Sequence, residues 1–211
     1  MKNLINLLKL QYNSLFALKK SLLILVVMAI FFAVFQPFMI VFAGAMFLMI
    51  SCYSLVFYEE RSKMNYLIYS LPITTREYIL SKYIFGLLNT IISIGISILL
   101  ASIIKFIGYS SDVNSMPIYA IALSTLSIGI FFLAIVQPAA LLLGTEKGRY
   151  ILVFLAVLPI TFSTSLVQLL PEINITISPT MIGILIVLAS ITILLASYFI
   201  TCNRFSKKEV S

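Results

Sequence analysis

The sequence predicts an all-α integral membrane protein with six transmembrane helices, and three observations support that fold class. Of its 211 residues, 62% are hydrophobic and only 10% are charged, whereas an average soluble domain has about 25% charged residues. The apolar residues fall into six stretches of about the length, roughly 20 residues, that a helix needs to cross a bilayer. Lys and Arg residues flank those stretches, as is typical of membrane proteins.

The six predicted spans cover residues 21–36, 38–58, 83–104, 118–143, 150–170 and 180–202. The first is short, and Gln36-Pro37 predicts a tight turn after it, because proline disfavours helix in the residue before it. The apolar stretch that begins at Ser21 exceeds the core of a signal peptide, roughly 7–15 residues, so we expect no cleavage. The predicted transmembrane domain is therefore 21–202, followed by a cytoplasmic tail at 203–211.

The distribution of positive charge predicts the orientation of the chain. Each of the 14 Lys and Arg residues except Lys105 falls on the same side of the predicted spans. Because positively charged loops stay in the cytoplasm, both termini are predicted to be cytoplasmic and the number of spans to be even. The same arrangement explains the net charge of +7 without a nucleic-acid partner.

Residues 1–20 predict an amphipathic helix that lies in the membrane interface ahead of the first span. Lysines separate a set of leucines at helical spacing, a pattern typical of interfacial helices: Leu4, Leu7, Leu8, Leu15 and Leu18. The simpler interpretation is an elbow that anchors the chain to the bilayer. A helix that binds a protein partner is the alternative.

Residues that the sequence lacks exclude or disfavour several kinds of chemistry. It has no histidine, which removes imidazole metal sites and Ser-His-Asp triads. Cys52 and Cys202 lie in separate apolar runs without metal-ligand spacing, and we interpret them as small packing residues. No charged residue lies in the middle of a predicted span, which disfavours an intramembrane enzyme and ion-coupled transport.

Two of the predicted spans contain polar residues that are candidates for a cargo pathway. Gln137 precedes Pro138 in the fourth span, and Pro159 in the fifth span is followed by Thr161, Ser163, Thr164, Ser165 and Gln168. Hydroxyl groups in membrane helices usually bond to carbonyls of the same or a neighbouring helix. The alternative is a break at Pro159 that makes part of the fifth span a re-entrant element on the outer side.

Small residues recur every fourth position in the third span, at Ser93, Ser97 and Ala101. Small side chains let helices in a membrane approach closely. The partner helix is either in the same chain or in a second copy.

Residues 59–82 form a charged, tyrosine-rich segment between the second and third spans. Its apolar residues predict one face of a short helix, accompanied by a tyrosine and ended by a proline: Met64, Tyr66, Leu67, Ile68, Leu71 and Pro72. Thr74 and Glu77 then match a capping box, which predicts a new helix from Thr75 into the third span. The segment either rests on the membrane or docks a cytoplasmic protein, and the strongly specified restart favours docking.

A second, much shorter connection is predicted at Gly144–Arg149, where glycines supply turn geometry. Its charged residues are Glu146, Lys147 and Arg149. They are sufficiently explained as topological anchors.

The 59–82 segment resembles a loop of the ABC-2 type transporter permeases, specifically the short membrane subunits of bacterial exporters. The residues that carry the resemblance are Glu59-Glu60, Ser70-Leu71-Pro72, Arg76-Glu77 and Ser81-Lys82-Tyr83. The stretch from Gln137 to Leu152, with its Gly-x-Glu-Lys-Gly-Arg turn, adds to it. So do six spans with both ends inside, and the resemblance covers nearly the whole chain.

The resemblance implies a permease of the bacterial plasma membrane that works as a homodimer or heterodimer with two cytoplasmic ABC ATPase subunits. The helix before Ser70 would be a coupling helix seated in a groove of the ATPase, and the fifth span would supply re-entrant helices. The implied coupling residues are Glu59, Glu60, Met64, Tyr66, Leu67, Ile68, Leu71, Pro72, Glu146, Lys147 and Arg149. Because the sequence has no P-loop of the G-x-x-x-x-G-K-[ST] type, ATP and Mg would be bound by the partner, and this chain would be neither an enzyme nor a cofactor-binding protein.

The expected cargo is hydrophobic or amphipathic. The chain resembles small permeases that export amphipathic peptides such as phenol-soluble modulins or that protect cells against antimicrobial peptides, and the polar residues of the fourth and fifth spans would line the pathway. The alternative function is a non-transporting membrane scaffold or assembly protein that binds a cytoplasmic partner through residues 59–82.

Overall fold

The computed structural model describes residues 2–17, 23, 27, 31, 39–62, 73–107, 117–169 and 179–208, without the side chains of 2, 3, 39, 107, 145, 156–169, 179, 180, 182 and 206–208. The elements within these ranges are helices, as the predicted all-α class requires. They are α1 (Lys2–Ala17), α2 (Met39–Arg61), α3 (Thr75–Ile107), α4 (Ile118–Leu169) and α5 (Pro179–Lys208).

Four helices in this described part are long and apolar enough to cross a membrane: Ile40–Arg61, Thr75–Phe106, Ile118–Gly144 and Gly183–Phe205. They correspond to the second, third, fourth and sixth predicted spans. The first predicted span, with its turn at Gln36-Pro37, lies outside the described residues except for three isolated positions. The six-span prediction is therefore matched at four spans and stays a prediction at the others.

The fourth helix consists of two limbs joined at Gly144. This residue has φ +75° and ψ 176°, a backbone conformation that is essentially restricted to glycine. A β-carbon placed on Gly148 would lie 3.5 Å from the carbonyl oxygen of Ala139, so the second limb folds back onto the end of the first. The predicted connection at 144–149 is thus tighter than expected, with helix resuming directly after Gly144.

The break predicted at Pro159 is absent from the described backbone. The second limb stays helical through Pro159 to Leu169, and Gly144 is the one residue with non-helical φ and ψ in the helix. Proline is tolerated inside membrane helices because local adjustment and neighbouring groups satisfy the carbonyl that it leaves free. The return of a re-entrant element would fall on residues 170–178, outside the described ranges.

The second helix lies at the centre of the bundle. It packs against α3 and α4, and these two helices also contact each other. In the most apolar window of α2, 67% of the residues are buried, whereas in that of α5 only 11% are. The fifth helix, which packs on α4 and more weakly on α3, therefore exposes most of its apolar surface.

The first helix packs against the bundle rather than standing apart from it. Leu7, Gln11 and Leu15 form its buried face, and its contacts are with α3 and α2. The ring of Tyr12 meets that of Phe85 edge to face, with 5.0 Å between centroids. The helix predicted for residues 1–20 is thus present, and two polar residues, Gln11 and Ser14, lie on the side that was expected to be apolar.

The small residues of α3 meet α2 of the same chain. A β-carbon on Gly44 would overlap the carbonyl oxygen of Ser93 and the hydroxyl of Ser97. Ser97 donates a hydrogen bond to the carbonyl oxygen of Ile40 at 3.0 Å. The predicted close helix packing is confirmed, and of the two partners left open the structure selects the neighbouring helix of the same chain.

The start of α3 is fixed by the predicted capping box. The backbone N–H of Thr74 donates to the carboxylate of Glu77 at 3.1 Å, and the N–H of Glu77 donates to the hydroxyl of Thr74 at 3.3 Å. These reciprocal bonds satisfy two N–H groups that a helix start otherwise leaves free. The beginning of α3 is therefore rigidly defined at Thr75.

Replacement of Thr74 with alanine is expected to lower the free energy of unfolding by about 1 kcal/mol, the usual cost of a lost N-cap. Thermal unfolding in detergent micelles measures the loss. Thr192→Ala is the matched control, because the exposed Thr192 hydroxyl bonds only to the carbonyl oxygen of Ala189 in its own helix. Equal melting temperatures for the two variants would contradict the capping role.

Candidate functional site

A network of buried polar side chains, which includes the two buried charged residues of the described chain, lies where α2 ends and α3 begins. Its centre is formed by three consecutive residues, Ser81, Lys82 and Tyr83, which we call the α3 hub. Successive residues of an α-helix point about 100° apart, so the three side chains are directed at different neighbours. All three are buried.

Lys82 of the hub forms a buried ion pair with α2. Its Nζ lies 2.5 Å from Oε1 of Glu59, and the two side chains are 0% and 1% exposed. The other carboxylate oxygen of Glu59 accepts a hydrogen bond from the hydroxyl of Tyr78 at 3.0 Å. The Lys82 ammonium also lies 5.3 Å from the centre of the Tyr78 ring, within the range of a cation–π contact.

A pair of this kind is uninformative about stability but informative about function. Removing two charges from water costs as much as their attraction returns, so well-packed apolar residues could replace them at little or no loss. Ionisable residues inside membrane proteins are accordingly rare and usually mark functional positions. The Glu59–Lys82 pair is therefore the strongest site signal among the described residues.

Ser81 and the backbone of Lys82 connect the hub to α1 and α4. The amide Nε2 of Gln11 donates to the hydroxyl of Ser81 at 2.9 Å. The amide Nε2 of Gln137 donates to the carbonyl oxygen of Lys82 at 3.1 Å. The side-chain oxygens of both glutamines are buried and accept no hydrogen bond from any residue that the structure describes.

Tyr83 connects the hub to α5. Its hydroxyl lies 2.8 Å from that of Ser197 and 3.0 Å from that of Thr201. Ser197 donates its proton to the carbonyl oxygen of Ala134, and Thr201 donates to the carbonyl oxygen of Ser197, so both hydroxyls act as acceptors toward Tyr83, whose single proton lies closest to Ser197. The Ser197 hydroxyl thereby joins α3, α4 and α5 at a single oxygen atom.

An exposed rim of charged residues surrounds the hub at the same end of the bundle. Its members are Glu60, Arg61, Arg76, Glu146, Lys147, Arg149 and Arg204. A β-carbon placed on Gly144 would lie 3.9 Å from the carboxylate of Glu60, so the turn of α4 adjoins the end of α2. The structure thus brings the end of α2, where the 59–82 segment begins, next to the 144–149 turn.

The predicted coupling residues fall into three groups. Glu60, Glu146, Lys147 and Arg149 are exposed on the rim, and Glu59 is buried in the ion pair. Because both oxygens of its carboxylate are occupied inside the protein, Glu59 in this conformation reaches a partner only through other residues. Met64, Tyr66, Leu67, Ile68, Leu71 and Pro72 lie outside the described residues.

Of the predicted pathway residues, only Gln137 has a side chain that the structure describes. Gln137 is buried and bonded to the hub. Thr161, Ser163, Thr164, Ser165 and Gln168 belong to the helical backbone of α4, and their side chains lie outside the description. Among the described residues no cluster of three or more His, Cys, Asp or Glu has an arrangement suited to a metal ion.

The sequence alone did not identify the hub as a site. Lys82 looks like an ordinary positive residue at the end of a span, and Ser81 and Tyr83 carry no signal beyond their place in the Ser81-Lys82-Tyr83 motif. The one available clue was the pairing of a carboxylate at the end of one span with a lysine at the start of the next.

A family model described as ABC-2 family transporter protein matches residues 6–206, which is nearly the whole chain. No curated protein and no solved structure matches the sequence of this chain.

Proposed function

The chain belongs to the ABC-2 family of transporter proteins, and from this premise we propose that it is the permease subunit of an ATP-driven exporter in the bacterial plasma membrane. In this proposal two permease chains, identical or different, work with two cytoplasmic ATPase subunits that bind ATP and Mg. Both termini of the chain lie in the cytoplasm. The observation that carries the proposal is the family match over residues 6–206.

The docking surface for the ATPase is proposed to comprise the 59–82 segment and the turn at 144–149. Three features of the structure support this choice. The exposed rim charges of both segments lie at one end of the bundle, the carboxylate of Glu60 adjoins Gly144, and the capping box gives α3 a rigid start. A partner that binds there would push on helix ends rather than on a compliant loop.

The cargo is proposed to be hydrophobic or amphipathic, with amphipathic peptides as the leading class. Among the described buried side chains, the charged ones are Glu59 and Lys82, and they neutralise each other. A pathway between the described helices therefore offers hydroxyl, amide and apolar groups but no free charge. Such a lining suits a hydrophobic or amphipathic cargo, because it presents no fixed charge with which a charged cargo could pair.

Co-purification is the first test of the proposed function. The tagged chain is expressed together with the reading frames that neighbour its gene, and an ATPase with a P-loop is expected to co-purify. Proteoliposomes of that complex should then move a fluorescently labelled amphipathic peptide only when ATP is present. Recovery of a different cytoplasmic protein, with no ATPase and no ATP-dependent flux, would favour the scaffold function instead.

Replacing Leu67 with aspartate is expected to weaken binding of the ATPase and thereby to reduce ATP-dependent transport. A buried interface anchor contributes about 2 kcal/mol or more, so retention of the ATPase should fall by roughly 30-fold or more while the permease stays folded. Pull-down and ATP-dependent peptide flux measure the effect. Val210→Asp, an equivalent substitution in the tail, is the control, and normal flux in Leu67→Asp would overturn the assignment of the coupling segment.

A further inference from the structure

We propose that the α3 hub transmits movement of the start of α3, at Thr75, to the other described helices of the membrane domain. Ser81, Lys82 and Tyr83 act as positioning residues, and Glu59 is the fixed partner of the hub on α2. The inference rests on the proposed function and names the side chains through which that function would operate.

The hub lies close to the exposed start of α3, to which it is joined by continuous helix. Lys82 follows the first helical residue, Thr75, by seven positions, which is about 10 Å along the helix axis. The capping box holds the first turn of α3 in helical form. A displacement applied at the start of α3 therefore reaches the hub without being absorbed by a flexible joint.

The residues of the hub form a separate polar interaction with each of the other four described helices. Ser81 is bonded to Gln11 of α1, the Lys82 side chain to Glu59 of α2, and the Lys82 carbonyl to Gln137 of α4. Tyr83 is bonded to Ser197 and Thr201 of α5. Directional hydrogen bonds fix the position of one helix relative to another. Apolar side-chain contacts do so less specifically, because in a membrane the lipid tails are equally apolar partners.

The ties to α2 and α5 are the most informative. Both oxygens of Glu59 are occupied by groups of α3, so the two helix ends that flank residues 62–74 are bound to each other and move as one body. The fifth helix packs mainly on α4, so the Tyr83 hydroxyl is a specific polar link from the hub to a helix that α3 contacts only weakly.

Tyr83→Phe isolates the link to α5, because it removes one oxygen atom and retains the ring. Ser197 and Thr201 keep their own bonds to backbone carbonyls, so the melting temperature is expected to change little. In the complex with its ATPase, peptide moved per ATP hydrolysed should fall roughly fivefold to tenfold, the worth of one hydrogen bond, with the hydrolysis rate retained. Tyr119→Phe, on an exposed tyrosine of α4, is the matched control and should behave as the wild type.

The link to α2 is tested with both charges removed, because loss of one alone threatens folding. Glu59→Gln combined with Lys82→Met is expected to fold and to bind the ATPase, and to move less peptide per ATP hydrolysed. Unchanged peptide transport per ATP in both this double variant and Tyr83→Phe would overturn the proposal.

Hydrogen exchange of the permease alone separates failure of the hub from failure of the proposed function. Glu77→Ala weakens the cap of α3 and should raise amide exchange in its first turn about fivefold, and through Tyr83 also in residues 197–205 of α5. In a Tyr83→Phe background the rise in α5 should disappear. If the rise persists there unchanged, the hub is not a transmission element, whatever the ATPase experiments give.

Discussion

Replacement of Lys82 with methionine is expected to lower the free energy of unfolding by about 3–5 kcal/mol, the usual cost of breaking a buried ion pair from one side. The methionine fills a similar volume, so the loss does not come from a cavity. It comes from Glu59, whose carboxylate is 1% exposed and would remain in the interior without its counter-ion. Fluorescence-detected gel filtration after heating measures the loss in detergent micelles.

The double variant Glu59→Gln/Lys82→Met provides the sharper comparison. With both charges gone, the side chain introduced in place of Glu59 is a neutral amide whose oxygen still accepts from Tyr78, and most of the lost stability should return. Lys9→Met, on an exposed lysine of α1, should leave the melting temperature unchanged. A double variant as unstable as Lys82→Met alone would mean that packing, not charge, sets the cost.

Replacement of Gly44 with alanine is expected to cost about 3 kcal/mol, at the upper end of the range for overpacking. The added methyl group would overlap the carbonyl oxygen of Ser93, a backbone atom that cannot rotate away. The two helices must then separate, and the hydrogen bond from Ser97 to the carbonyl of Ile40 is lost with them. The melting temperature and the yield of folded protein should both fall.

Gly95→Ala is the matched control for that substitution. Gly95 lies in α3 near Ser93 and Ser97, but a β-carbon built on it meets nothing within 4 Å. Alanine in a helix is favoured over glycine by up to about 1 kcal/mol, so this variant should be unchanged or more stable. Equal losses at Gly44 and Gly95 would show that α2 and α3 do not approach closely at Gly44.

Features that depend on neighbouring residues were predictable from the sequence. The capping box at Thr74 is an example, because both of its hydrogen bonds join residues three positions apart. The spans in α2, α3, α5 and the first limb of α4 were also predictable, since each is a long apolar run. The close approach at Ser93 and Ser97 followed from side-chain size alone.

Features that depend on distant residues were not predictable. Lys82 has the same local setting as other lysines at the ends of spans, and only the folded chain brings it to Glu59, 23 positions away. The bonds from Tyr83 to α5 cross more than a hundred residues. No local periodicity distinguishes a tyrosine that makes such bonds from one that faces lipid.

The described backbone has no break at Pro159, one of the two alternatives that the sequence left open, because the effect of proline depends on its surroundings. In a water-exposed helix its missing N–H usually ends or kinks the helix. In a membrane domain the backbone gains nothing by leaving the helix, since no water is present to satisfy the freed groups. The helix therefore continues through Pro159 to Leu169.

The tight fold of α4 at Gly144 also bears on the order in which the protein assembles. Its two limbs are joined through one non-helical residue, so they meet at almost no cost in loop-closure entropy. The ties of the hub join residues that are far apart, 70 positions for Gln11 and Ser81 and 118 for Tyr83 and Thr201. Local contacts form before distant ones, so the α4 hairpin precedes the hub during folding. The full set of hub bonds can form only when α1, α2, α4 and α5 have all packed against α3. A complete hub therefore marks a fully assembled bundle of the described helices.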